Sequence, residues 1–505
     1  MVFSSHEFVL IFLPLVFLAF AIANRFGGWQ ASFSVLGAAS LVFYAQWSIA
    51  LLAVLLTSAV ANYIVGTFLI KATREGRPAG WLLASAVIAN LVALGYFKYT
   101  NFFIDITNQV SGSGFSHLDI VLPVGISFYT FIQIGFLVEA HSGQAEQQPF
   151  IKYLTFATFF PCVTAGPLVL QREFFDQMKD RKDSALEARR LAVGVTLFAM
   201  GLFKKVVLAD SIAPFANDVF TGVAAGGGVD MVSAWVGALA YSLQLYFDFS
   251  GYSDMAIGIG VIFGIRLPLN FNSPFKATSI SEFWQRWHMT MTRFFTKFVY
   301  SPMAMGGMRS AVTKGHSPLR RYLVAGAWPI VVTMVVAGVW HGSGWTFVLF
   351  GLLHGFAIAV NNGWKQFNLP KPPAVLGWLM TISVVICGLV IFRAPDVASA
   401  MTMLTAMWGI SAEVPANGHL AVALGLREAL GLIFLLGAIT LLAPNTQEIL
   451  AKEWVSSDPV PKTMSRIAGY IAWRPAVGWS FAAAGTFLLA FTSISADSSF
   501  LYYQF

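Results

Sequence analysis

The sequence predicts an all-α, polytopic transmembrane helical bundle, and three observations carry that prediction. Hydrophobic residues fill 57% of 505 positions and charged residues only 11%, against about 25% charged in a soluble globular chain. Mean hydropathy is +0.69. The apolar residues gather into stretches near the roughly 20 residues that cross a bilayer. A soluble domain of this size has too few charges here to cover its surface. In a bilayer the lipid is the solvent and that requirement disappears.

Taken from the N-terminus, Phe8 to Ala23 is apolar, without a basic leader before it or a small-residue cleavage site after it. It reads as a first transmembrane helix rather than a removable signal peptide. The candidate spans are 7–24, 31–45, 47–70, 80–98, 119–139, 151–170, 191–208, 232–262, 323–340, 344–361, 375–393, 420–443 and 476–493. The second is short. Segments 232–262 and 344–361 are interrupted by glycines and read as broken or re-entrant. About eleven or twelve true spans are expected. No soluble domain and no repeat emerges, so residues 1–505 read as a single integral membrane domain.

Orientation follows from Lys and Arg. Basic loops hold Lys71, Arg74 and Arg77; then Arg172 to Arg190; then Arg286 to Arg321; then Lys452 to Arg474. These are expected on the cytoplasmic side. The stretches 105–119, 209–231, 396–419 and 494–505 carry no Lys or Arg and are expected outside, with both termini. The net charge of +7 therefore reflects loop topology rather than nucleic-acid binding. Cys162 and Cys387 lie in apolar stretches and read as small core residues.

Segment 279–300 is too charged to span. On one continuous helix Glu282, Arg286, Thr290, Arg293 and Lys297 would form a polar stripe. Trp284, His288, Met291, Phe295 and Phe298 would form the opposite stripe. That pattern predicts an amphipathic helix at the membrane interface.

Three histidines lie inside or beside apolar segments: His288, His341 and His354. Ionisable groups at membrane depth are costly and usually functional. In Trp340-His341-Gly342-Ser343-Gly344, the two glycines should end the helix at His341. A broken helix at membrane depth is tolerated only against protein or a watery cavity, so His341 is expected to line one. A neutral imidazole can take the proton of a hydroxyl as its oxygen attacks an acyl carbonyl. The spacings of 53 and 13 residues between the histidines match no zinc motif, and no metal is expected. Asp248 and Asp254 place two carboxylates in an apolar run, where interhelical hydrogen bonding is the favoured reading over a substrate role.

The motifs Leu122-Pro123-Val124-Gly125-Ile126-Ser127-Phe128-Tyr129, Tyr246-Phe247-Asp248-Phe249-Ser250-Gly251-Tyr252-Ser253-Asp254, Asn270-Phe271-Asn272-Ser273-Pro274-Phe275, Phe283-Trp284-Gln285-Arg286-Trp287-His288-Met289, Val339-Trp340-His341-Gly342, His354-Gly355 and the terminal Phe500-Leu501-Tyr502-Tyr503-Gln504-Phe505 occur in that order. Together they resemble the membrane-bound O-acyltransferase family, in its alginate O-acetyltransferase membrane-subunit branch. The resemblance implies a central tunnel through the bilayer, with His341 and His288 catalytic. It implies His354, Trp340, Trp287, Asp248 and Asp254 as tunnel or supporting residues. It further implies acetyl-CoA as the donor on the cytoplasmic side of a bacterial inner membrane. The acyl group would pass to an extracytoplasmic SGNH-type acetyltransferase partner within a polysaccharide biosynthesis complex. In the aromatic tail 500–505, Tyr502 takes the position of the branch's tyrosine and is the candidate acyl relay.

Two other functions compete with O-acetylation of an extracellular polysaccharide such as alginate or cellulose. One is a proton-coupled transporter or flippase, with the intramembrane acids and histidines as a proton relay. The other is acylation of a lipid or a secreted protein. A transporter would more often show paired halves with matching broken helices, and none is found.

Overall fold

A computed structural model describes residues 1–178, 187–410, 425–453, 455–458, 466–495 and 500–501. The architecture is all-α, with no β-strand among the described residues. Seven helices there are long and apolar enough to cross a membrane: Phe8–Ala45, Ile49–Arg74, Gly80–Ser111, Ala188–Ala224, Pro318–His341, Trp345–Gln366 and Ala374–Arg393. Val397–Met407 and Val477–Thr492 are shorter apolar helices. Many of their large side chains, such as Phe26, Val92 and Phe481, are exposed, as a lipid-facing surface requires.

The chain divides into two compact units. The first contains Met1–Phe203, Gly251–Leu269 and the chain from Thr446. Its core includes Tyr44, Leu55, Leu94, Ile126, Tyr129 and Val163. Hydrocarbon offers no hydrogen bonds, so polar side chains inside it pair with one another. Asn62 and Asn90 exchange amide hydrogen bonds at 3.0 and 2.8 Å, and Asn62 also donates to Gln133. The predicted spans 7–24 and 31–45 are two helical arms of Phe8–Ala45 that fold back on one another at Gly28, whose φ of 66° only glycine adopts readily. Ser32 Oγ donates to the Phe20 oxygen at 3.3 Å, and the rings of Phe8 and Phe43 lie 6.0 Å apart.

Two predicted spans of this unit are not single helices. In 119–139, the helix begins only at Ile126, after Gly125 at φ 71°. A side chain at Gly125 would place Cβ 2.3 Å from the Val163 carbonyl oxygen. In 151–170, helix Phe150–Thr158 is interrupted at Phe159 (ψ 112°) and followed only by the turn Phe160–Val163. Pro123 and Pro161 sit at these interruptions, where a missing N–H and a fixed φ disrupt a regular helix.

The predicted break in 232–262 is also corrected, since Met231–Ile262 is one continuous helix. Its glycines serve close packing. In the first unit, Cβ atoms at Gly194 and Gly201 would lie 2.8 Å from the Gly258 oxygen and 2.6 Å from the Gly251 oxygen. Small residues let helix backbones approach within the membrane.

The second unit contains Lys204–Ser250 and Asn270–Asn445. Helix Trp328–His341 ends at His341, and Gly342 is extended at φ −162°. Helix Trp345–Gln366 then runs back along it without a break. The interruption expected within 344–361 therefore falls just before that helix. Cβ atoms at Gly338 and Gly351 would lie 2.2 Å from the Phe347 oxygen and 2.5 Å from the Met334 oxygen. The glycines thus set the close contact of this helical hairpin.

The single amphipathic helix expected over 279–300 is not formed. Helix Ile280–Trp284 stops, and His288 adopts the left-handed conformation at φ 43°, ψ 51°. Helix Met289–Phe295 then begins and continues as a π-helical turn, Thr296–Tyr300. The backbone around His288 is held by partners remote in sequence. Met289 N–H donates to the Asn270 oxygen at 2.9 Å, and Asn272 N–H donates to the Arg286 oxygen at 2.8 Å. These tertiary bonds override the local helical pattern.

Candidate active site

The second unit brings three of the predicted residues together. The rings of His288 and His341 have centroids 6.3 Å apart, and Trp340 lies 6.0 Å from His288 and 4.8 Å from His341. All three side chains are buried, His288 completely. Phe249 stands edge-on to His288 at 4.8 Å, and Phe392 stands edge-on to His341 at 5.2 Å. The local chain explains His341: it is the last residue of its helix. A Cβ at Gly342 would lie 2.0 Å from the Phe347 ring, so glycine lets the chain turn away at that point.

Hydrogen bonding assigns the tautomer of His288. Asn270 Oδ1 accepts from the Thr290 backbone N–H at 3.4 Å and from Thr290 Oγ1 at 3.0 Å. A backbone N–H can only donate, so this Asn270 atom is its oxygen. The same oxygen lies 2.9 Å from His288 Nδ1. Nδ1 must therefore carry hydrogen, and in a neutral imidazole Nε2 then holds the lone pair. A left-handed residue other than glycine costs about 1–2 kcal/mol. The structure maintains it at His288, a buried imidazole beside a second imidazole.

His354 has the opposite arrangement. Trp284 Nε1–H donates to its Nδ1 at 3.3 Å, which places the hydrogen of the neutral ring on Nε2. Phe350 contacts both His354 at 4.6 Å and His341 at 6.3 Å. A Cβ at Gly388 would lie 2.3 Å from His354 Nε2, so helix Ala374–Arg393 closes directly over the ring. Trp287 belongs to an aromatic cluster instead, stacked on Phe283 at 5.6 Å and edge-on to Phe271 at 5.0 Å.

The two carboxylates have separate partners. Asp248 is buried and pairs with Lys205 Nζ at 2.7 Å, and the same ammonium reaches Asp210 at 2.8 Å. Asp254, in the first unit, accepts from Thr446 Oγ1 at 2.9 Å. Both bonds join segments far apart in sequence. Phe500, also in the first unit, is buried and stacks on Tyr252 at 4.4 Å. Tyr502 lies outside the described residues.

Glu282 and Arg286 of the predicted polar stripe form an ion pair at 2.8 Å. Burial raises the Glu282 carboxyl, but hydrogen bonds from Thr278 and the Arg286 guanidinium outweigh it and hold the group below its usual range. Arg286 also donates to the Asn272 oxygen at 3.2 Å, which steadies the loop that carries Asn270.

Sequence reasoning missed Asn270 and Lys205. Lys205 left a signal, because a lysine within an apolar run needs a counter-ion. Asn270 was legible only as the first residue of the Asn270–Phe275 motif, and its contact with His288 was not, since that partner stands 18 residues away.

Residues 137–404 match the family model described as MBOAT, membrane-bound O-acyltransferase family. The chain is 36% identical over 445 residues to a peptidoglycan O-acetyltransferase of Helicobacter pylori, covering 81% of this chain and 80% of that one. It is 36% identical over 414 residues to the probable alginate O-acetylase AlgI of Azotobacter vinelandii, covering 81% and 78%. A teichoic acid D-alanyltransferase of Streptococcus thermophilus is 28% identical over 244 residues, covering 48% and 57%.

Proposed function

The chain belongs to the membrane-bound O-acyltransferase family, and from that premise we propose that it moves an acetyl group from cytoplasmic acetyl-CoA toward the hydroxyls of a polysaccharide outside the membrane. It is a multi-pass membrane O-acyltransferase. The observation that carries the finer reading is the buried pair His288 and His341, 6.3 Å apart.

In the reaction a hydroxyl oxygen bonds to the acyl carbon, the C–S bond of the thioester breaks, and the hydroxyl proton ends on the departing thiolate. An imidazole can carry that proton from one to the other. His341, at a helix end bounded by glycine, is assigned as the base. His288, with Nδ1–H held by Asn270, offers the Nε2 lone pair to hold the hydroxyl or steer its proton. His354, Trp340 and Trp287 shape the apolar surroundings, where electrostatic interactions are strengthened by the absence of water.

The acceptor class rests on the relatives, which are named for O-acetylation of alginate and peptidoglycan. Basic loops on the cytoplasmic side put both termini outside, in the inner membrane of a bacterium. Tyr502 would then accept the acetyl group first and pass it to an SGNH-type partner, by nucleophilic catalysis through its phenol.

The test is acetyl-CoA turnover by the purified full chain in nanodiscs, with CoA release as the readout. CoA release is expected from the native chain and from neither His341→Ala nor His288→Ala. Full turnover and full polymer acetylation by His341→Ala would overturn the assignment.

A further inference from the structure

The second unit holds a cavity of about 560 Å³ whose lining includes none of the residues placed around His288 and His341. Two membrane-crossing helices end beside it. Arg321 and Tyr322 stand in the opening turns of Pro318–His341, and Asn362 and Lys365 in the closing turns of Trp345–Gln366. Ends of spanning helices lie at headgroup depth, where Tyr, Lys and Arg gather. The cavity is therefore level with the phosphates of the surrounding lipid.

Its walls change character with depth. Arg321 and Lys365 are exposed at the rim, while Ala325 and Ile330 are buried. The helix from Arg321 to Ile330 is about 13 Å long. Tyr322 is fixed in the wall: its hydroxyl donates to the Ala359 oxygen. Cβ atoms at Gly326 and Gly363 would lie 2.9 and 3.1 Å from the Tyr322 ring, so glycines on both helices make room for it. No carboxylate lines the cavity among the described residues, and the sequence has no Asp or Glu between Glu282 and Asp396. Two cations in one concavity repel, and an anion seated between them removes the repulsion.

We propose that this cavity seats one anionic phospholipid, with its phosphate between Arg321 and Lys365 and an acyl chain over Met308 and Ile330. The arginine fork matches phosphate oxygens, and the lysine adds a point charge. A zwitterionic headgroup leaves the second cation unbalanced. The apolar depth gives an acyl chain a dry surface, which a water-soluble phosphate compound cannot use. The inference does not rest on the histidine chemistry, and acetyl transfer is not its readout.

The experiment places the full chain in phosphatidylcholine nanodiscs with increasing phosphatidylglycerol. Amine labelling of Lys365 is followed by mass spectrometry against Lys371, an exposed lysine outside the cavity. A diffuse surface potential slows both lysines alike, whereas a seated lipid slows Lys365 selectively, which is the expected result. Arg321→Gln should raise the phosphatidylglycerol fraction needed for half-protection by about tenfold, and Arg321→Lys should restore part of the loss. Arg320→Gln removes an exposed charge beside the cavity but not in it, and should leave that fraction unchanged. Because protection is measured first on the native chain, a variant that fails to fold does not blunt the test. The proposal is overturned if Lys365 is not slowed more than Lys371, or if Arg320→Gln and Arg321→Gln act equally. Selective protection of Lys365 by 3′,5′-ADP in pure phosphatidylcholine, with none from phosphatidylglycerol, would overturn it as well.

Discussion

Asn270 holds His288 by a single oxygen, which lies 2.9 Å from Nδ1 of the imidazole and also accepts from Thr290. The contact fixes which nitrogen of a completely buried histidine carries hydrogen. Asn270→Leu should therefore lower turnover while the protein still inserts, by less than the roughly 10²–10⁴-fold expected for loss of an acid–base group. Turnover by Asn270→Leu, His288→Ala and the double variant checks this. If the two residues act as a unit, the double variant should be no worse than His288→Ala.

The left-handed backbone of His288 makes a separate prediction. Asn tolerates this conformation and β-branched residues do not. His288→Asn should unfold close to the native temperature, whereas His288→Val should be less stable by about 1–2 kcal/mol more. Thermal unfolding in detergent separates them. Equal melting of the two variants would remove the backbone argument.

Gly342 is constrained by space, since its extended backbone suits any residue while its Cβ would lie 2.0 Å from the Phe347 ring. Gly342→Ala should cost about 1–3 kcal/mol through overpacking and should displace His341. Gly342→Ala/Phe347→Ala should recover turnover relative to Gly342→Ala. Failure of the double variant to recover any would point to a requirement for glycine other than room for the ring.

Lys205 and Asp248 form a buried ion pair at 2.7 Å. Lys205→Met strands the Asp248 carboxylate and should destabilise the protein by about 3–5 kcal/mol. Lys205→Met/Asp248→Asn should recover a large part of that loss, because the fully buried charge is gone and Asp210, whose side chain is 25% exposed, can be hydrated in place of its contact with the ammonium. The comparison is made on unfolding temperatures. A Lys205→Met variant as stable as the native protein would show that the pair carries no stability.

For the tail, Phe500 buried against Tyr252 separates anchoring from chemistry. Deleting residues 500–505 removes an aromatic burial worth roughly 1.5–3 kcal/mol, so it should weaken tail docking as well as polymer acetylation. Tyr502→Phe removes one hydroxyl. In the relay scheme it abolishes polymer acetylation while stability stays native. Full activity of Tyr502→Phe, with loss only in the deletion, would make the tail a docking peptide.

Much of this protein was determined by composition and local pattern alone. Too few charges for a soluble surface meant a membrane bundle, and the paired glycines after His341 meant a helix that ends there. Each of these follows from residues adjacent in sequence or from totals over the chain. The tertiary structure decided what depends on distant partners. The helix expected over 279–300 breaks because Asn270 and Asn272 take the backbone hydrogen bonds around His288. Met231–Ile262 stays whole because its glycines receive a neighbouring helix instead of bending. Asp248 has Lys205 as its partner, 2.7 Å away, because the packed chain brings together residues 43 positions apart. In each case the local preference amounts to about 1 kcal/mol or less per residue. A buried polar group or close helix contact outweighs it, and only the packed chain brings such partners together.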